Sequence, residues 1–208
     1  MNDIYTEAGL PTDLTFLPII ESAFNPKAYS FAHASGLWQF IPSTGKMFDL
    51  RDNYWVDERR DPIKSTQASV KYFTRLYKMF DDWHLALASY NCGEGRVSRT
   101  IRKTEGSQTF WDLKLPKETM NYVPLFIAQQ MIAKNPHCFG FDIRDTTSFP
   151  YDTVQISDCV DMGKIAKALS PESSILAGIS LKYHDDQISF LPAGLANITT
   201  ISICWLLH

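Results

Sequence analysis

The chain has 208 residues, 45% of them hydrophobic and 13% aromatic; this is material for one substantial core and excludes a disordered chain. The formal net charge of −3 is unevenly spread, with 16 Lys and Arg against 15 Asp and Glu in residues 1–140, and 4 against 8 in residues 141–208. Neither part has the basic excess of a nucleic-acid binder. Cys92, Cys138, Cys159 and Cys204 lack metal-ligand spacing and are too few for a disulfide framework, so they read as small buried hydrophobes. The opening MNDIYTEAGLP lacks the basic and apolar blocks of a secretory signal, and the closing LANITTISICWLLH is too short and interrupted to span a bilayer.

Along the chain, the first pattern is a helix over residues 12–24. Leu14, Leu17, Glu21 and Phe24 recur at spacings of 3, 4 and 3, one face of a 3.6-residue period. Pro18 predicts a kink, and Asn25-Pro26 stops the helix. Glu21 therefore shares the apolar stripe. A carboxylate there is either a helix glutamate reaching solvent past its neighbours or an acid whose proton is held by burial, and spacing alone leaves both open.

SFAHASGLWQFIPSTG, residues 30–45, is rich in small residues and has no clean period; it predicts a structured loop carrying exposed or half-exposed aromatics. Next, RRDPIKSTQASVKYFTRLYKMF predicts a helix capped by Asp61 with Pro62 at its first position. Its apolar side is formed by Ile63, Val70, Phe73, Leu76, Tyr77 and Phe80. Just upstream, Asp57, Glu58 and Asp61 stand among Arg59 and Arg60, the pattern of a solvated or helix-capping charge cluster.

DDWHLALASYNCGEGRV predicts a second helix capped by Asp82, with Tyr90 and Asn91 at its end and a turn over Gly93 and Gly95. A last helix runs from Glu118 to Lys134 and stops at Asn135-Pro136. Beyond residue 140 the composition turns acidic and strand-like, with one further helical pattern over residues 161–176. The predicted architecture is mainly α over residues 1–139, followed by a short α/β-like tail over 140–208.

A helix-end carboxylate on an apolar face suits a general acid working near neutrality. Trp38, Gln39, Tyr90 and Asn91 offer ring faces beside amide and hydroxyl groups, a combination suited to a sugar chain. Glycosidases commonly use two carboxyl groups, and here the second is not obvious: Asp57, Glu58 and Asp61 read as the charge cluster, and Glu94 and Glu118 as residues that complement a helix dipole or orient a loop.

Taken in order, IESAFNPKAYS, ASGLWQFIPSTG, WVDERRDP, ALASYNCGEGRV and LPKETMNYVP resemble the lytic transglycosylases of bacterial cell walls, which have a goose-type-lysozyme-like fold. The likeness is greatest to the membrane-bound lytic murein transglycosylase D branch and runs from about residue 8 to residue 139. It implies that Glu21 is the single catalytic acid/base with Ser22 beside it. It further implies that Gln39 and Phe40 of the GLWQF block, Tyr90, Asn91 and Tyr122 line the substrate groove, with Tyr90 hydrogen-bonding the Glu21 carboxylate.

The implied substrate is the peptidoglycan glycan strand, cut between N-acetylmuramic acid and N-acetylglucosamine to give 1,6-anhydromuramoyl products, with no metal or cofactor. The implied location is the cell envelope or periplasm, in association with the outer membrane. Against the family pattern the chain starts close to the catalytic glutamate, as if a supporting helix were missing, and Cys92 stands where alanine is usual. The tail resembles a degenerate LysM-like or truncated cell-wall-binding region. The rival expectations are a hydrolase of the same bond and an inactive glycan-binding remnant.

Overall fold

The computed structural model describes residues 1–54, 56–105 and 109–142, and the backbone of two short segments, Tyr151–Val154 and Ile201–Cys204. Among the described residues, seven helices occupy the first part: α1 Asn2–Glu7, α2 Leu17–Ser22, α3 Pro42–Met47, α4 Pro62–Phe80, α5 Trp83–Cys92, α6 Glu94–Lys103 and α7 Lys117–Lys134. The two later segments are strands β1 and β2, paired antiparallel from Tyr151 with Cys204 to Val154 with Ile201. The predicted helix over 161–176 lies outside the described residues.

The two predicted caps form as expected. The Asp61 side chain accepts from the N–H groups of Ile63 and Lys64, both at 2.9 Å, ahead of Pro62 in the first turn of α4. Asp82 accepts from Leu85 N–H at 2.8 Å to start α5. Each carboxylate satisfies donors that a helix start leaves without intrahelical partners.

Helix α5 is the axis of the fold. Leu85, Ala86, Leu87, Ala88 and Ser89 are all buried, so the helix is apolar on every side and must be enclosed. It packs against α4, α6 and α7, and α7 in turn packs against α2 and the 3₁₀ turn Thr12–Phe16. The core they close includes Leu14, Leu17, Trp38, Phe73, Leu76, Val97, Phe110, Val123 and Phe126.

Several expectations are corrected. The single kinked helix over 12–24 is a 3₁₀ turn followed by α2, with Pro18 in the first turn of α2, where proline costs no hydrogen bond. After Ser22 the chain leaves the helix through Ala23 and Phe24, both left-handed at φ 50° and 57°. Phe24 N–H closes back onto Pro18 C=O at 3.1 Å, a helix-ending bond that turns Phe24 out of the stripe.

The second correction concerns the loop aromatics. Phe31 is exposed as expected, whereas Trp38 and Phe40 are not exposed groove residues but core. Trp38 stacks on Tyr5 of α1 at 5.8 Å and donates to Thr66 Oγ1 at 3.0 Å. Third, the buried side of α4 includes Ser65, Thr66 and Ser69 while Ile63 is exposed. The hydroxyls are tolerated because each donates to a carbonyl three or four residues back, leaving no unpaired polar group. Fourth, Cys138 is exposed and Cys92 only half-buried against the core, while Cys159 and the Cys204 side chain lie outside the described residues.

The predicted charge cluster also divides. Asp61 caps α4 and Asp57 caps the 3₁₀ turn Glu58–Arg60, accepting from Arg59 N–H at 3.2 Å, but Asp57, Glu58 and Arg59 are buried rather than solvated. Arg59 donates to both Asp57 oxygens at 2.8 and 2.9 Å and to the carbonyls of His33 and Phe40 at 2.8 and 3.0 Å. Ser35 Oγ adds a bond to Asp57 at 3.0 Å. The pair thereby clasps both ends of the loop that carries GLWQF.

Candidate active site

Glu21 lies in the last turn of α2, one residue before its end, and keeps partial access to solvent. The surrounding helices nevertheless remove enough water to push its pKa from 4.5 up to about 7; the Tyr122 hydrogen bond opposes the rise and the charge of Glu118 adds to it. Burial dominates because a carboxylate short of water loses more solvation than its neutral acid.

Tyr122 of α7 donates its hydroxyl to Glu21 Oε1. Burial, with the Glu21 charge second, raises the Tyr122 phenol well above its ordinary range, so it remains a donor. Tyr90 does not make the expected bond to the carboxylate. Its hydroxyl donates to Trp38 C=O at 2.6 Å, and its ring stacks on Phe73 at 4.9 Å with 4° between planes. Tyr90 still faces Glu21, whose charge follows burial among the causes raising its pKa.

The other expected site residues bind the frame together. Asn91 Oδ1 accepts from Thr119 Oγ1 at 2.8 Å, joining the end of α5 to the start of α7. Ser22 Oγ donates to Leu37 C=O at 2.9 Å and to Pro18 C=O at 3.2 Å, tying α2 to the GLWQF loop. Gln39 sits at φ 47° and its amide nitrogen donates to the carbonyls of Gly36 and Ala28 at 2.8 and 3.3 Å. Phe40 is buried against Tyr72 and Tyr90 and supports the wall from behind, with no face left for a ligand.

The structure thus brings Glu21, Tyr90 and Tyr122 together, ties Ser22 and Gln39 into the adjacent loop, and places Asn91 at the seam between helices. Left-handed backbone at Ala23, Phe24 and Gln39 is unusual for residues with a Cβ, and it falls on both sides of the site, where such strain is commonly stored.

The carboxylates that a hydrolase would draw on as its second catalytic group, Asp57, Asp61 and Glu94, are committed elsewhere. Asp57 is locked to Arg59, Asp61 caps α4, and Glu94 accepts from Tyr72 at 3.2 Å and Arg75 at 3.1 Å. Among the described residues, no group of three or more His, Cys, Asp or Glu could hold a metal ion, and no helix is long and apolar enough to cross a membrane.

Residues 4–112 match the family described as Transglycosylase SLT domain. The chain belongs to that family. A membrane-bound lytic murein transglycosylase D from Escherichia coli K12 is 44% identical over 178 residues, which are 83% of this chain and 38% of that protein. The soluble lytic murein transglycosylase of the same strain is 33% identical over 91 residues, 41% of this chain and 14% of that one.

Among solved structures, a 70-kDa soluble lytic transglycosylase in complex with bulgecin A superposes with a TM-score of 0.52 at 25% identity, covering 67% of this chain and 24% of the other. The SLT domain here has the helical, lysozyme-like fold that the motifs imply. The chain spans 38% of the length of the first of these relatives.

Sequence reasoning missed the Asp57–Arg59 clasp and the proximity of Glu118 to Glu21. No local pattern signals the first, because its partners at residues 33, 35 and 40 lie across a loop. The second had a faint signal: Glu118 stands four residues before Tyr122, one helical turn.

Proposed function

We propose that residues 1–139 form the catalytic domain of a peptidoglycan lytic transglycosylase with Glu21 as its single general acid and base, and that residues 140–208 are a tail outside the catalytic unit. The observation that carries this reading is a helix-end carboxyl held near pKa 7 by burial and oriented by Tyr122. An acid that must next serve as a base works best with its pKa near the operating pH.

In the first step protonated Glu21 gives its proton to the oxygen bridging N-acetylmuramic acid and N-acetylglucosamine. That bond breaks, the N-acetylglucosamine end leaves with the proton, and the muramoyl N-acetyl group stabilises the positive anomeric carbon. In the second step the Glu21 carboxylate takes the proton of the muramoyl 6-hydroxyl while its oxygen bonds to the anomeric carbon and closes the 1,6-anhydro ring. Glu21 ends as it began, and no water is consumed.

The Tyr122 hydroxyl strengthens its bond to Glu21 when the carboxylate forms between the two steps. Ser22, Gln39 and Asn91 shape the groove through the loop and the helix seam, and Tyr90 forms part of its wall. Peptidoglycan is then the partner, and the cell envelope facing that polymer is the location; outer-membrane association is a further proposal prompted by the membrane-bound relative.

Mass spectrometry of muropeptides released from purified peptidoglycan tests the reading. Wild type is expected to release products lighter by one water than the hydrolytic ones, and folded Glu21→Gln is expected to release none. Reducing-end products would make the domain a hydrolase; unchanged release by Glu21→Gln would remove Glu21 from the chemistry.

A further inference from the structure

Glu118 lies in the first turn of α7 with its side chain exposed. Four residues later on the same helix is Tyr122, whose hydroxyl touches the Glu21 carboxylate. Residues four apart share one face of a helix at neighbouring height, and the Thr119–Asn91 bond fixes this turn of α7 against the end of α5. Glu118 therefore shares the Tyr122 face of α7, one turn before the residue that holds Glu21, and its charge is felt at that carboxylate.

We propose that Glu118 is an electrostatic positioning residue: its charge, one helical turn from Tyr122, favours the proton on Glu21, while Glu118 takes no part in bond making or breaking. The role deepens the reaction proposed above and rests on that reading for its catalytic meaning. It also distinguishes Glu118 from a water-activating second carboxylate, since that would have to touch the nucleophile.

The groups facing Glu21 allow such control. From α7 come Tyr122 and Glu118, and from α5 comes Tyr90. The two phenols are neutral donors. The acidic residue of the 3₁₀ turn packed on α7, Asp13, is paired with Lys134 and Gln130 near the other end of that helix. A like charge disfavours a second carboxylate, and burial of Glu21 lets that charge be felt.

The test reads Glu21 directly. With glutamate labelled at the side-chain carboxyl carbon, the Glu21 resonance is assigned by its loss in Glu21→Gln and titrated by NMR. The midpoint is expected to fall in Glu118→Gln, to fall further in Glu118→Lys, and to be retained in Glu118→Asp. In wild type it should drift down toward the Glu118→Gln value as salt is added. A Glu118→Gln protein that is folded and keeps the wild-type midpoint would overturn the proposal.

The pH–rate profile supplies a second readout. Activity needing protonated Glu21 is lost as pH rises through its pKa, so the alkaline limb of kcat/KM should move to lower pH in Glu118→Gln, with activity at acid pH kept. Loss of activity at every pH would instead place Glu118 in the chemistry and overturn it. Because the NMR midpoint moves or stays whether or not peptidoglycan is cut, failure of the reaction and failure of this proposal are separately visible.

Discussion

At the scale of single residues, the Tyr122–Glu21 bond is the contact on which both halves of the proposed cycle depend. Tyr122→Phe keeps the ring in place and removes the donor. A hydrogen bond to a charged group contributes about 1.5–3 kcal/mol, so kcat is expected to fall about 10–100-fold. The bond also works against burial in setting the Glu21 pKa; its loss should move the alkaline limb of the pH–rate profile upward, opposite to Glu118→Gln. A limb that stays in place or moves down would refute the assignment. Glu21 could be singled out from its place in an apolar stripe, but the groups that tune it could not. Its donor is 101 residues away and the acceptor of Tyr90 is 52 away, distances at which chain patterns carry no contact information. Tyr90 and Tyr122 could be named only through the family resemblance, and the roles expected for the two were partly exchanged.

At the scale of elements, the GLWQF loop meets the Asp57–Arg59 pair at a close approach that one glycine permits. Gly36 has φ 81°, and a Cβ there would lie 1.9 Å from the Arg59 carbonyl oxygen. Gly36→Ala must therefore push the loop away from the clasp. The expected result is a destabilised protein with weakened glycan binding, read by thermal melting together with KM; a variant unchanged in both would mean that the close approach is not required. Asp57→Ala leaves Arg59 buried without its main partner, a change that typically costs about 3–5 kcal/mol. A loss below about 1 kcal/mol by chemical denaturation would show the clasp to be dispensable. Neither feature is local in sequence. The elements that could be read are those with local signatures: Asp61-Pro62 and Asp82 at helix starts, and Asn135-Pro136 at a helix end. Helices α1 and α3 have six residues each, too few to show a period. α6 buries only Val97, so its strongly polar face gave no core stripe, and GEG read as a turn although Glu94 and Gly95 open the helix.

At the scale of the whole molecule, two glutamates shifted in opposite directions set how stability depends on pH. Burial works against the Glu58 charge, but bonds from Arg51 and Lys64 overcome it and bring its pKa down from 4.5 to about 2. Asp57 is likewise burdened by burial and held below its usual range by Arg59 and Ser35. A lowered folded pKa contributes stability that is present above the unfolded value and lost as pH falls through the folded one; for Glu58 the loss runs from about 4.5 to 2. Glu21 has the reverse sign. Its folded pKa of about 7 exceeds 4.5, so the folded state binds the extra proton and stability declines as pH rises through that window. The Glu58 and Glu21 shifts each correspond to roughly 3 kcal/mol. These groups therefore place the stability maximum near pH 4.5, with a fall on either side. Denaturant unfolding of Glu21→Gln should convert the decline from pH 4.5 to 7 into a plateau, making the variant more stable than wild type at pH 8 and equal to it at pH 4. The charge needed for the second catalytic step is thus expected to be held at a cost to the fold. A variant no more stable than wild type at pH 8 would mean that Glu21 is solvated in the folded protein, and with that the physical basis for its dual role would be lost.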